Sequence, residues 1–501
     1  MSAIFGNKLS TGSRKRQSRV GILPEAKRRK IRQRQVSSTI ILQTTVLKID
    51  PFVGLNAPLT MVFQCLEILY LIAQVSHCSK QFYRVSRDPN SWRSSSVLLG
   101  DGHYHSTPSR VISVIDHFRC MPKLNSLTLH AGYILWAHCS TFRDNLKFLS
   151  SLKSLNLAHA PFVLSDSQVL ALNLKFMPHL KQLNLDGCRL FNEGCCFVAR
   201  ALSYVPELNE LNLSGNFIDR EGCICLVEHL KSVPHLNSLK LRNNRIRDTS
   251  CLILCSAFKY LGELKCVDLA LNGITNTDCQ ILVDAFNSVT QLESLDLCAN
   301  RITEAGCNVL AENLKFVPRL TSLYLLGNDI ENCRTLAENL KCVPLLEQLH
   351  LSNNPVGDVG CVVLAENLKF VSRLKSLNLQ GIVCMLNTGF STIVANLKFV
   401  SGLNSLNLSH NRIDDDSCSL LAANLILLPE LHTLNLYNNQ ITELGCRALV
   451  DNLQAGSKKL CQLYMQSNNF SSRSMGCRIL RQARRFMPHL RIKCCMHFYS
   501  H

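Results

Sequence analysis

No apolar run in this sequence reaches the roughly 18 residues that a membrane-spanning helix needs. The opening, MSAIFGNKLS, also lacks the charged-then-apolar pattern of a secretory signal. A membrane partner and secretion are therefore not expected, and the chain reads as intracellular. No Gly-Lys pair occurs anywhere, which excludes a phosphate loop of the Gly-x-x-x-x-Gly-Lys-Ser/Thr type. Gly-x-Ser-x-Gly and His-Glu-x-x-His are missing too, so two common hydrolytic sites are excluded. No catalytic residue, metal ligand or cofactor-binding residue is assigned, and no cofactor is expected.

Acidic residues are scarce at the two ends. Residues 1–34 hold eleven Lys/Arg and one acid, Glu25, and nine Lys/Arg follow Asp451 with no acid at all. The stretch between them carries 34 basic and 35 acidic residues, so the net charge of +18 belongs to the ends. A neutral middle argues against nucleic acid bound through the body of the chain.

That middle is repetitive. Leu-x-x-Leu-x-Leu begins at Leu152, Leu180, Leu208, Leu236, Leu264, Leu292 and Leu320, every 28 residues. It starts at Leu124 and continues at Leu346, Leu374, Leu403, Leu431 and Leu460, about thirteen units in all. Alternating leucines predict a short strand with one buried face. Eight residues after the first Leu comes an Asn (Asn216, Asn244, Asn272, Asn300, Asn328, Asn354, Asn411, Asn439, Asn468), with donors and an acceptor for backbone groups where the chain turns inward. A second apolar run, as in CNVLAENLKFVP, predicts a helix over Val309, Leu310, Leu314 and Val317 that Pro318 ends. Strands stack about 4.8 Å apart and helices about 8–10 Å, so the array must curve with strands inside. The pattern resembles the leucine-rich-repeat family, in its ribonuclease-inhibitor-like subclass of 28-residue units.

Twenty-five cysteines would suggest disulfides in a short secreted chain, but here many share one phase. Cys139, Cys195, Cys223, Cys251, Cys279, Cys307, Cys361, Cys418 and Cys446 lie fifteen residues after their unit's first Leu, at the inner start of the helix. At helix spacings of about 8–10 Å these positions exceed the roughly 7 Å limit for a disulfide. Small buried thiols in a reducing compartment are expected, and no paired CxxC supports a zinc site.

The array departs from its pattern in places. Gly132 and Ala160 replace the turn Asn in the first two units, Cys188 replaces it in the third, and Ile382 in the unit from Leu374. The unit from Leu320 is two residues short. These departures read as ordinary drift, with a bend or a binding loop as the alternative. Arg478, Arg481 and Arg485 share a helical face in the last unit and read as a polar cap. On the concave strand face, where such arrays bind, aromatics are the favoured interface residues. Asp296, Tyr324, His350, Tyr437 and Tyr464 are the expected target-binding positions, for a protein whose identity the pattern does not reveal.

Ahead of the array lie two further signals. Lys15 and Arg16, ten residues, then Lys27, Arg28, Arg29 and Lys30 resemble a bipartite nuclear-localisation signal. This implies an import receptor as partner and a location in nucleus and cytoplasm, with the nucleus favoured. Residues 58–93 carry Pro58-Leu59, aliphatics through the middle, Val75-Ser76, Ser79-Lys80, Phe82, Asp88-Pro89 and Trp92. They resemble the F-box, with Thr60 where an acid often stands. The resemblance implies helices packing on a Skp-type adaptor of a cullin ubiquitin ligase through Pro58, Leu59, Val62, Leu66, Leu69, Leu71, Val75 and Trp92. TMVFQCLEIL on the same segment is close to the elongin-C-binding box, with Met61 for Leu.

The expected architecture is thus α/β, a curved leucine-rich-repeat solenoid preceded by a small helical F-box-like module. Residues 1–45 form a disordered basic tail, 55–100 the helical module, and 120–495 the array with its basic C-terminal cap. The expected function is non-catalytic target recognition for a Skp–cullin–F-box ligase. The alternatives are a repeat scaffold or inhibitor without a ligase role, and an elongin-C-linked receptor. A Ran GTPase-activating role is disfavoured by the basic tail.

Overall fold

The computed structural model describes residues 39–41, 96–99, 123–129, 145–382, 387–453, 459–470 and 475–494. Sixteen strands among them form one open parallel sheet in strict chain order, from Thr39–Ile41 and Ser96–Leu99 through Ser126–Leu129 to Arg491–Lys493. From Ser154–Asn156 onward a helix, often followed by a 3-10 turn, returns the chain between strands, and this is a curved leucine-rich-repeat solenoid. The sheet begins earlier than the leucine period suggests, because Ser96–Leu99 pairs in register with Ser126–Leu129 inside the span expected to be helical. Thr39–Ile41 likewise falls inside the expected tail. A parallel strand needs only backbone partners, so neither has to carry the repeat's signature. The import-signal residues Lys15 to Lys30 and the adaptor residues Pro58 to Trp92 lie outside the described residues.

Two devices recur along the array. The leucines of its frame point into the core, as Leu292, Leu295 and Leu297 do at 2% exposure or less. Burial of one such side chain contributes about 1.5–3 kcal/mol. The turn Asn then joins neighbouring units. Asn300 Oδ1 accepts from the N–H groups of Asn272 (3.0 Å) and Ile274 (3.0 Å), and its Nδ2 donates to the carbonyls of Leu269 (3.1 Å) and Leu297 (2.9 Å). In the third unit Cys188 keeps part of this role, its thiol donating to the Leu157 carbonyl at 3.1 Å.

One residue before this ladder the backbone is left-handed in every unit from Leu152 to Leu460. Gly, Asn, His or Ser fills the position except at Leu271 (φ 58°) and Ala299 (φ 52°). A left-handed backbone costs an ordinary L-residue about 1–2 kcal/mol, and Asn less. Leu271 is 41% exposed, so Leu271→Asn loses little burial. It is expected to raise stability by about 0.5–1 kcal/mol, read as a higher denaturant midpoint at unchanged slope.

The outer helices are shorter than their apolar spacing suggests. In the unit from Leu292 the α-helix is Glu304–Glu312, and Leu314–Phe316 is a 3-10 turn. Asn313 ends the helix before Pro318 is reached. Its backbone sits at φ −103°, ψ 0°, and its Nδ2 donates to the Val309 carbonyl at 2.8 Å, which helix termination would otherwise leave unpaired. Asn173, Asn339, Asn367, Asn396, Asn424 and Asn452 repeat that bond. The short unit from Leu320 loses helix instead of strand. Its helix is only Arg334–Asn339, while Ser322–Tyr324 stays in register on both sides.

The column cysteines Cys195, Cys223, Cys251, Cys279, Cys307, Cys361, Cys418 and Cys446 are buried free thiols, as expected. Cys139 lies outside the described residues. The argument from helix spacing nevertheless fails for two cysteines outside the column. We label the helices of the units from Leu152, Leu180 and Leu208 as α1 (Leu164–Leu174), α2 (Phe191–Ala201) and α3 (Arg220–Leu230). Cys196 of α2 and Cys225 of α3 form a disulfide with their Cα atoms 5.1 Å apart. Gly222 explains the close approach: a Cβ there would lie 2.8 Å from Asn192 Oδ1 of α2. Where glycine faces the neighbouring helix, no side chain holds the pair at the usual separation.

Candidate functional site

The half-buried concave positions divide into two chemical kinds. Asn156, Asn184, Asn212, Asp268, Asp296, Asn378, Asn407 and Asn435 each accept, through the side-chain oxygen, the backbone N–H two residues further on. These are Asx turns, which bend the chain out of each strand. The Asn-rich character of the face is therefore structural. Lys240, Tyr324, His350 and Tyr464 occupy the same register and cannot make this bond through a side-chain carbonyl or carboxylate.

Three of those four cluster. The registers Lys240↔Asp268↔Asp296↔Tyr324↔His350 place five side chains of four kinds on adjacent strands. The Tyr324 and His350 rings meet edge to face with centroids 4.8 Å apart. The Tyr324 hydroxyl donates to Gln348 Oε1 at 2.6 Å, and His350 Nε2 lies 3.2 Å from Ser376 Oγ. Arg242 Nη1 stands 3.6 Å from Asp296 Oδ2. Burial lowers the His350 pKa, which favours the neutral ring, and raises those of the Tyr324 hydroxyl and the Asp268 carboxyl. The patch thus combines two fixed rings with two basic and two acidic side chains.

Asp296, Tyr324 and His350, expected from sequence, are brought together here. Tyr437 and Tyr464 are not. Tyr437 packs on His410 at 5.2 Å between ring centroids, and Tyr464 lies under Lys493 Nζ at 4.9 Å, both in units nearer the C-terminus. Arg242 and Asp268 were not singled out. The available signal was charge of both signs at equivalent positions of adjoining units. Among the described residues no group of three or more His, Cys, Asp or Glu is placed to hold a metal ion. No helix among them is long and apolar enough to cross a membrane.

A leucine-rich-repeat family model matches residues 344–365 and 403–422. Two solved structures are similar in fold. A leucine-rich-repeat protein of Leptospira interrogans is 17% identical, with 82% of this chain and 98% of that one covered and a TM-score of 0.45. An internalin from Listeria monocytogenes is 19% identical, with 71% and 83% covered and a TM-score of 0.38. No curated protein matches the sequence. The best-defined candidate surface of the repeat array lies on the strands from Lys240 to His350.

Proposed function

We propose that the chain is the non-catalytic target-recognition subunit of a Skp–cullin–F-box ubiquitin ligase and works mainly in the nucleus. The observation that supports target binding is the Asp296–Tyr324–His350 cluster. Tyr324 and His350 are fixed by ring contact and hydrogen bonds at positions that the surrounding units commit to Asx turns. A pre-ordered aromatic loses little side-chain entropy when a partner covers it. The ligase half of the reading rests on the F-box resemblance of residues 58–93, and the nuclear half on the two basic clusters ending at Arg16 and Lys30.

Co-purification of the full chain with a Skp adaptor tests the reading. Wild type is expected to recover the adaptor, and a Leu66→Asp, Val75→Asp double variant to lose it. A Tyr324→Ala, His350→Ala variant is expected to keep the adaptor and lose the target. Equally poor adaptor recovery by wild type and the Leu66/Val75 variant leaves a repeat scaffold without a ligase role. Recovery of elongin C instead favours the rival motif between Thr60 and Leu69.

A further inference from the structure

The last unit of the array differs from the others in charge. After Asp451 the sequence has nine Lys/Arg and no acid. The unit before it is near neutral: Lys459 Nζ pairs with Glu430 at 2.6 Å, and Arg447 shares a helix with Glu443 and Asp451. In the last unit Arg478, Arg481, Arg485, Arg491 and Lys493 are all exposed. None of the five forms an ion pair among the described residues.

These cations lie on both sides of the unit. Arg478, Arg481 and Arg485 line the exposed side of the last helix, Met475–Gln482, and of the 3-10 turn Ala483–Arg485 that follows. Arg491 and Lys493 flank Ile492 on the last strand of the sheet, in register with Gln462 and Tyr464 of the concave face. Lys493 Nζ stands 4.9 Å from the Tyr464 ring centroid. Arg481 occupies the end between these sides. Four residues after the column cysteine, inner units bury Ala199, Val283, Ala311, Ala365, Ala422 and Val450 at 7% exposure or less. The last unit has exposed Arg481 at that place, and Arg484 stands in the sequence where inner units have Leu or Phe. The basic residues therefore run from the concave face, past the end of the array, to the outer helix.

Shielding the core end accounts for polar side chains here but not for a single sign. Like charges three and four residues apart on a helix repel, so a mixed set would cap the core at lower cost. The helix dipole favours cations in the last helical turn, but it does not act on Arg491 and Lys493 of the strand. The composition also separates the classes of partner. Protein interfaces are depleted of charge at their centre and built on apolar anchors, whereas nucleic-acid interfaces are strongly positive. The exposed large apolar side chains of the last unit are Met475 and Phe486 among the described residues, and Phe486 repeats the place of Phe370 and Phe399 in inner units. Four of the five cations are arginines, whose planar forks match phosphate oxygens two at a time. A flat bilayer meets the concave face or the outer helix, while a flexible or grooved polyanion can follow the cations from one to the other.

We propose that Arg478, Arg481, Arg485, Arg491 and Lys493 form a binding surface for the phosphate backbone of a nucleic acid, which crosses the C-terminal end of the array. The contacts are to phosphate, so binding is independent of base sequence. The surface is separate from the Tyr324–His350 cluster and does not depend on the ligase reading. The neutral body of the array takes no part.

The test uses the full chain, with fluorescein-labelled DNA and RNA duplexes of about 20 base pairs titrated at several salt concentrations. Wild type is expected to bind both, and the tighter of the two names the source of the phosphate. An Arg478→Gln, Arg481→Gln, Arg485→Gln variant is expected to bind at least tenfold more weakly. Its slope of log Kd against log salt should fall by about 2–3, since each phosphate contact contributes about 0.9. An Arg491→Gln, Lys493→Gln variant repeats the test on the strand, independently of the helix, and should lower the slope by about 1–2. Lys315→Gln, Lys369→Gln, Lys398→Gln removes three exposed charges from inner units and is expected to bind within twofold of wild type. All three variants should keep the wild-type melting midpoint, because every replaced side chain is exposed. Equal weakening by the Arg478/Arg481/Arg485 and Lys315/Lys369/Lys398 variants overturns the proposal, because net charge alone would then explain binding. A slope unchanged in both the helix and the strand variant overturns it as well. Tighter binding, at equal charge, to polyglutamate or to phosphatidylserine vesicles assigns the surface to an acidic protein or a membrane and also overturns it.

Discussion

Replacing Asn300 by Ala is expected to lower the free energy of unfolding by about 3–5 kcal/mol, a large fraction of what holds a domain folded. The side chain is 8% exposed and bonded across the junction between the units from Leu264 and Leu292. Its loss leaves the buried N–H groups of Asn272 and Ile274 without an acceptor and the carbonyls of Leu269 and Leu297 without that donor. Each such orphan costs about 1–3 kcal/mol. Because a repeat array is stabilised unit by unit, the damage is expected at that junction first. Hydrogen exchange should show the amides of Asn272 and Ile274 opening before the rest, ahead of a lower denaturant midpoint. Asn313→Ala is the control: it removes one half-buried bond to the Val309 carbonyl and is expected to cost about 1 kcal/mol or less. Equal losses at the two asparagines would remove the distinction between ladder and helix end.

Breaking the Cys196–Cys225 bond is the second large effect. A closed loop with a sequence separation of 29 corresponds to about 3–4 kcal/mol of lost denatured-state entropy. Dithiothreitol or a Cys225→Ser substitution is therefore expected to lower the melting midpoint by several degrees, and a Cys196→Ser, Cys225→Ser chain to become insensitive to reductant. The chemistry should be selective. Cys196 and Cys225 are half-buried, whereas burial pushes the Cys223, Cys307, Cys361 and Cys446 thiols up to about 12. At pH 8 such thiols are thiolate to roughly one part in ten thousand. After reduction of the native chain, iodoacetamide is thus expected to label Cys196 and Cys225 and leave Cys223, Cys307, Cys361 and Cys446 unlabelled. A midpoint that ignores both reductant and Cys225→Ser would show that the bond does not contribute.

Much of the fold was legible because a 28-residue period writes its own geometry. Leucines at fixed offsets pick out one strand face, the turn asparagine marks the cross-unit ladder, and strand spacing against helix spacing dictates curvature. Even so, the asparagine of AENLKF was passed over as a helix residue, since apolar spacing runs through it to Val317. Its role depends on a side-chain bond to the turn behind. The concave candidates were half legible. Asp296, Tyr324 and His350 could be placed on one face from register alone. The division of that face into Asx-turn residues and the rest depends on backbone direction after each strand, which residue identity does not carry.

The sequence by itself determined the repeat, the strand face, the buried thiol column and the neutrality of the array, because each follows from spacing or composition repeated many times. Only the tertiary structure decided the rest. It brought Cys196 within bonding distance of Cys225 where Gly222 lets two helices close. It set Tyr324 against His350, and it held Phe191 and Phe217 stacked in solvent on left-handed backbone. Each of these is a contact between neighbouring units, and its distance depends on how side chains pack across a boundary that the period locates but does not measure.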